Sequence, residues 1–210
     1  MPTTKILADD WEVEPRLLAL GLDRENLLKV VFAAVQARND TTSNDPANAA
    51  GWFSYSYGTR TLREVFCGEK WMLDRTDSIE SILNPNLGIK VAFQNVDSAA
   101  DPNREPRARS KKGAGSERAV DNNQLNLWLL PEIENVVSAS PDSSSIWFLM
   151  VYVNGSDVRA ELSLPISIKD NQFTDFVERI FLIKGGEWSD FEINELEDDN
   201  DSFEVHVSRK

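Results

Sequence analysis

The sequence predicts an α+β fold, N-terminal helices followed by a largely antiparallel sheet, and three observations predict it. An apolar stripe at helical spacing, Leu27, Leu28, Val31, Ala34 and Val35, follows a capping Asp23. Two long runs rich in strand formers flank Asn154-Gly155, a dipeptide suited to the positive φ angles of a type I′ hairpin turn. The 210 residues are 41% hydrophobic, with six Trp and ten Phe, which is the composition of a chain that buries a core. That length fits a single domain over residues 1–210.

In chain order, Asp9 to Pro15 is acidic, ends in proline and reads as an extended lead-in. The helix opened by Asp23 ends near Arg38, because residues 39–50, NDTTSNDPANAA, are turn formers and small residues. From Gly51 to Gly58, Phe53, Tyr55 and Tyr57 alternate with smaller residues, the pattern of a strand with one aromatic face. Thr61 and Glu64 stand at capping-box spacing, which makes Leu62, Val65 and Phe66 the buried side of a short helix ended by Gly68. Asp77 caps a further short helix through Ile79, Ile82 and Leu83, stopped by Asn84-Pro85. Ile89 to Val96 is a strand that delivers the chain into a basic, glycine-containing loop, Asp101 to Arg118.

After that loop, Leu125 to Leu130 is a continuous apolar run that Pro131 ends, read as a buried strand, and Ser138 to Ser145 is a turn. Ile146 to Val153 is apolar on both faces and belongs in the middle of a sheet. Asp157 to Ile168 alternates, so one of its faces is expected to meet water. A turn at Asp170-Asn171 leads to a strand from about Phe176, and Phe203, Val205 and Val207 form a last short strand.

Charge is the compositional outlier: 22 Lys and Arg against 35 Asp and Glu, a net of −13. The acidic C-terminal segment 187–204 holds nine acids and no base. The loop at 101–118 carries the opposite sign through Arg104, Arg107, Arg109, Lys111, Lys112 and Arg118. These six are the candidate ligand- or partner-binding residues, since guanidinium and ammonium groups on a connecting segment pair with phosphates and carboxylates. No apolar run approaches the roughly 20 residues of a membrane span, and the N-terminus lacks the layout of a signal peptide, so a cytoplasmic protein is expected. A single cysteine, Cys67, fits a reducing compartment.

The inventory disfavours several chemistries. The one histidine, His206, stands four residues from the C-terminus on the polar side of its strand, poorly placed as a general base, which also argues against a Cys67–His206 dyad. None of the nine lysines is preceded at two residues by an acid, the spacing common in restriction-type nucleases. Glu161 and Asp97 are the carboxylates to test if metal-dependent hydrolysis is considered. Gly113 and Gly115 lie in KKGAGSER, which lacks the spacing of a phosphate-wrapping loop. No catalytic residue, metal ligand or cofactor is therefore assigned. Three functions remain: a non-enzymatic cytosolic interaction protein, a subunit or regulator docking on a protein partner through charged surfaces; a nucleic-acid or phosphate-ligand binder using residues 104–118; and a carboxylate-metal nuclease or phosphoesterase.

Overall fold

A computed structural model describes residues 3–129 and 144–189. The order of elements is β1 (Lys5–Leu7), α1 (Asp10–Ala19), α2 (Arg24–Asn39), α3 (Ala49–Phe66), β2 (Met72–Asp74), β3 (Ser81–Asn84), β4 (Ile89–Asn95), α4 (Ala114–Leu129), β5 (Ser145–Asn154), β6 (Asp157–Lys169) and β7 (Gln172–Ile183). The seven strands form one sheet in the order β1-β7-β6-β5-β4-β3-β2. The fold is α+β as expected, and the sheet is mixed: β1 runs parallel to β7 and β4 parallel to β5, while the other four pairings are antiparallel. The parallel β4–β5 pair requires a crossover, which the 96–113 segment and α4 supply.

Helices α1, α2 and α3 cover one face of the sheet. The Asp23 side chain accepts a hydrogen bond from the Asn26 amide at 2.8 Å, and the expected stripe of α2 is buried at Leu27, Val31, Ala34 and Val35. These residues join Val91, Phe93, Trp147, Leu149, Leu162 and Ile180 of the central strands in one apolar cluster. The Asp9–Pro15 stretch is not extended: it belongs to α1, and Pro15 lies within that helix. Beyond α1, Gly21 takes φ +70° while its amide bonds to the Leu18 carbonyl and the Leu22 amide to the Leu17 carbonyl. This is a Schellman stop, which needs a residue tolerant of the left-handed region.

The aromatic stretch 51–58 is also helical, the middle of α3, and the Thr61–Glu64 pair lies inside the same helix. The sheet-facing side of α3 is Ala49, Ser54, Gly58, Thr59 and Leu62, mostly small residues that let the helix approach β4 closely. An added Cβ at Gly58 would sit 2.6 Å from the Phe93 ring. Asp77 opens no α-helix; Thr76–Ser78 is a single 3-10 turn with Asp77 at φ 58°, and Ile82 and Leu83 belong to β3.

The second face of the sheet is covered by the 96–112 segment and α4. Val96, Ala99, Ala108, Ala119 and Val120 pack on Ala92, Ile146, Phe148, Met150, Phe173 and Phe176. The hairpin is present, but its two-residue turn is Gly155-Ser156 rather than Asn154-Gly155: Asn154 pairs with Asp157, and of the expected pair Gly155 alone has positive φ, at 59°, so the turn is not type I′. β5 is buried on both faces as expected, whereas β6 has no wet face from Ala160 to Pro165, because Glu161 and Ser163 lie under this cover. The run read as a strand at 125–130 belongs, through Leu129, to α4, where Gly113 and Gly115 at the helix start had disguised its beginning. The Phe203–Val207 strand, His206 and all but the first three residues of the acidic segment 187–204 lie outside the described residues.

Candidate interaction surface

The basic segment is a strap tied to the sheet rather than an open loop. Its path is fixed by backbone bonds: the Asp97 amide donates to the Arg107 carbonyl at 2.9 Å and the Arg109 amide to the Asn95 carbonyl at 3.0 Å. Further along, the Lys112 amide donates to the Asn171 carbonyl at 3.0 Å. Asp97 holds the turn by accepting from Arg104 Nη2 at 2.7 Å and from the Arg107 amide at 2.9 Å. Arg118 donates to Asp77 from both Nε and Nη2. Gly115 is needed for packing and not for a ligand, since a Cβ there would meet the Asp77 carbonyl oxygen at 2.1 Å.

Lys112 is inside the protein. Its ammonium bonds to Gln94 Oε1 and lies 5.2 Å from the centre of the Phe173 ring, with no carboxylate partner among the described residues. Burial pushes its pKa down to about 8. Of the six basic residues singled out, Arg104 and Arg118 are thus spent on Asp97 and Asp77, and Lys112 is sealed in. Arg107, Arg109 and Lys111 remain exposed, with Arg109 Nε donating to the Val96 carbonyl at 3.0 Å. Beside them a groove of about 490 Å³ is lined by Asp97, Asn103, Arg104, Glu105, Arg107 and Thr174, a mixture of both signs of charge.

Beneath the strap lies a charged pair that apolar patterning did not reveal. Arg179 donates to both oxygens of Glu161, at 2.8 and 2.7 Å, and the two side chains are 2% and 0% exposed. Glu161 also accepts from the Ala100 amide and from Ser163 Oγ, both at 2.6 Å. The rings of Phe176 and Phe181 stand 5.9 and 5.2 Å from the Arg179 guanidinium. Glu161 therefore works as an anchor for the strap, and every direction from its carboxylate is occupied by protein. A second buried pair, Lys90 with Asp74 at 3.1 Å, is completed by hydroxyl donors from Thr76 and Ser81.

Glu161 is enclosed by its donors, Asp97 lines the groove with Glu105 but is paired with Arg104 and the Arg107 amide, and among the described residues no group of three His, Cys, Asp or Glu side chains is disposed to hold a metal. Cys67 ends α3, and burial raises its thiol pKa, the wrong direction for a nucleophile. Among the described residues, no helix is long and apolar enough to cross a membrane.

The surface that stands out is the outer side of α1, which sequence reading placed in an extended lead. Val13 and Leu17 point into the core, so the opposite side of the helix carries Trp11, Pro15, Leu18 and Ala19 outward. Trp11 is 75% and Leu18 77% exposed, the two most exposed large apolar side chains among the described residues. Glu12 and Glu14 flank this stripe on its two sides, following the 100° step of the helix. Next to it runs β1, the edge strand of the sheet among the described residues, and between helix and strand lies a groove of about 350 Å³ lined by Lys5, Leu7, Trp11, Glu12, Pro15 and Arg16. The helix is held rigidly: Arg16 donates to both oxygens of Glu178 on β7, at 3.0 and 2.8 Å. Arg24 Nη1 donates to Asp10 at 2.7 Å. The i, i+4, i+7 spacing of Trp11, Pro15 and Leu18 was legible in the sequence, but Pro15 read as a helix breaker.

Comparison of the chain with protein-family models, with curated protein sequences and with solved structures finds no match.

Proposed function

We propose that this protein is a non-enzymatic interaction protein, a subunit or regulator, that docks on a protein partner through a charged surface built around α1. The observation that carries this reading is the exposure of Trp11 and Leu18 on a helix whose other side is fixed to the core. A large apolar side chain left in water forgoes about 1.5–3 kcal/mol of burial, and a rigid aromatic rimmed by charge is the composition of an interface hot spot. The experiment is recovery of bound proteins from native extract by the wild-type chain and by a Trp11→Ser/Leu18→Ser variant, followed by sedimentation of each chain with the purified partner. The expected result is a stoichiometric complex with wild type that the variant does not form. A wild-type chain that stays monomeric and partnerless in that extract contradicts the reading.

A second reading, binding of nucleic acid or a phosphate ligand through residues 104–118, has one observation in its favour. The pKa of Arg38, at the end of α2, is lowered first by burial and then by the nearby Arg109 guanidinium, so positive charge accumulates at that corner beside Arg107 and Lys111. Binding of duplex DNA or single-stranded RNA at low salt, lost in an Arg107→Ala/Arg109→Ala/Lys111→Ala variant, is the expected signature. No binding at low salt removes it.

A further inference from the structure

We infer that the partner segment received by α1 is a basic amphipathic helix, with an apolar stripe seated on Trp11, Pro15 and Leu18 and Lys or Arg side chains on both sides of that stripe. The inference rests on the reading of α1 as a docking face and adds the chemistry of the occupant.

Charge complementarity is the first argument. The carboxylates around the stripe outnumber the cations available to them: Asp10 and Glu14 share the single guanidinium of Arg24, at 2.7 and 3.7 Å. Glu12 and Asp9 have no cation partner among the described residues. Arg16 at 2.8 Å and Lys5 at 3.8 Å share the buried Glu178, so that even with all three cations counted the acids Asp9, Asp10, Glu12, Glu14 and Glu178 exceed Lys5, Arg16 and Arg24 by two. A partner with bases flanking its own apolar stripe therefore meets a net negative surface around Trp11, and an acidic partner is repelled. The same net negative charge disfavours a second copy of this chain, since the two facing surfaces would carry the same sign.

Shape is the second argument. Trp11, Pro15 and Leu18 repeat at the i, i+4, i+7 spacing that meshes with the ridges of another helix. The shallow groove beside them, where Leu7 and Ala19 adjoin Trp11 and Pro15, extends the apolar stripe toward β1 between Lys5, Glu12 and Arg16. Pro15 also has no N–H to give to the Trp11 carbonyl, so this acceptor lacks its usual intrahelical donor at the centre of the stripe. A cationic or amide donor from the partner fits there. Addition of a strand to the neighbouring edge is the poorer fit, because β1 offers only three residues.

The test uses the full chain and three synthetic helical peptides: a Lys/Leu peptide with Leu at i, i+3, i+4 and i+7; the same peptide with Glu in place of Lys; and a Lys/Leu peptide of the same composition in scrambled order. Binding is read by fluorescence anisotropy of the labelled peptide and by displacement of the Trp11 indole N–H resonance, assigned with Trp11→Phe. The expected result is binding of the first peptide alone, weakened at least tenfold by Trp11→Ser/Leu18→Ser and severalfold by Glu12→Gln/Glu14→Gln, both of which alter exposed side chains. If the Glu peptide binds as well as the Lys peptide and Trp11→Ser/Leu18→Ser abolishes both, the docking face stands and the basic partner is overturned. If the Lys peptide binds wild type and Trp11→Ser/Leu18→Ser equally, or no peptide binds, both readings fall. Concentration-dependent dimerisation lost in Trp11→Ser/Leu18→Ser would replace the partner helix with a second copy.

Discussion

Arg179 lies buried under the strap, and among the described residues Glu161 is the carboxylate that compensates it. Glu161→Gln keeps the shape but removes that compensation, so a loss of about 3–5 kcal/mol is expected from urea unfolding at pH 7. The double replacement Glu161→Leu/Arg179→Met, which leaves no charge behind, is expected to cost less than the single one. A loss below about 1 kcal/mol for Glu161→Gln would mean that water reaches the pair. Lys112 gives the opposite sign. Its pKa falls from 10.5 in the unfolded chain to about 8 in the folded one, so the unfolded state binds more protons between those values and stability rises with pH across that window. Below pH 8 the burial costs about 3 kcal/mol by this shift. Lys112→Met is accordingly expected to stabilise the protein by about 1–3 kcal/mol at pH 7, with the gain shrinking toward pH 10.5. Unfolding curves of both chains at pH 7 and pH 10 measure it; a gain independent of pH would place the ammonium in solvent.

α3 shows how an element escapes its own pattern. Helices usually bury their large apolar residues, but this one turns Ser54, Gly58 and Thr59 to the sheet and leaves Trp52 60% exposed, so its aromatics read as the alternation of a strand. The close approach that the small residues permit is itself testable. Gly58→Ala gains about 0.5–1 kcal/mol of helix propensity, but its Cβ would fall 2.6 Å from a Phe93 ring that is 1% exposed. Overpacking of about 1–3 kcal/mol wins, and a fall in thermal midpoint is the expected reading. The elements legible in the sequence were those set by local chemistry: the Asp23 cap of α2, the hairpin at Gly155, the strand β4 and the Asp170-Asn171 turn into β7. Those missed were set by tertiary contact. Pro15 is accommodated in α1 because Arg16 and Leu17 anchor that helix, Gly115 starts α4 because Asp77 crowds it, and Glu161 is buried because a strap from elsewhere covers it. The six basic residues were legible as a charge cluster, but the carboxylates that consume Arg104 and Arg118 come from the strand end at Asp97 and the turn at Asp77, outside the 101–118 segment.

At the scale of the molecule the net charge of −13 sets a self-repulsion that isolated surface pairs such as Arg24–Asp10 and Arg118–Asp77 do not cancel. Raising NaCl from about 20 to about 300 mM shortens the screening length several-fold, and the thermal midpoint is expected to rise by a few degrees. A fall would mean that the pairs outweigh the repulsion. The same salt series should weaken the peptide complex at α1, so stability and binding move in opposite directions. The placement of β1 carries a consequence for synthesis. Lys5 pairs with Glu178, so the first strand of the sheet waits for almost the last. A ribosome adding about 5–20 residues per second takes roughly 10–35 s to reach that partner. During that interval α1, α2 and α3 emerge with their sheet-facing sides uncovered, because β5, β6 and β7 do not yet exist. Truncation before Gln172 is therefore expected to yield aggregates rather than a smaller folded protein, which sedimentation of the shortened chain would show.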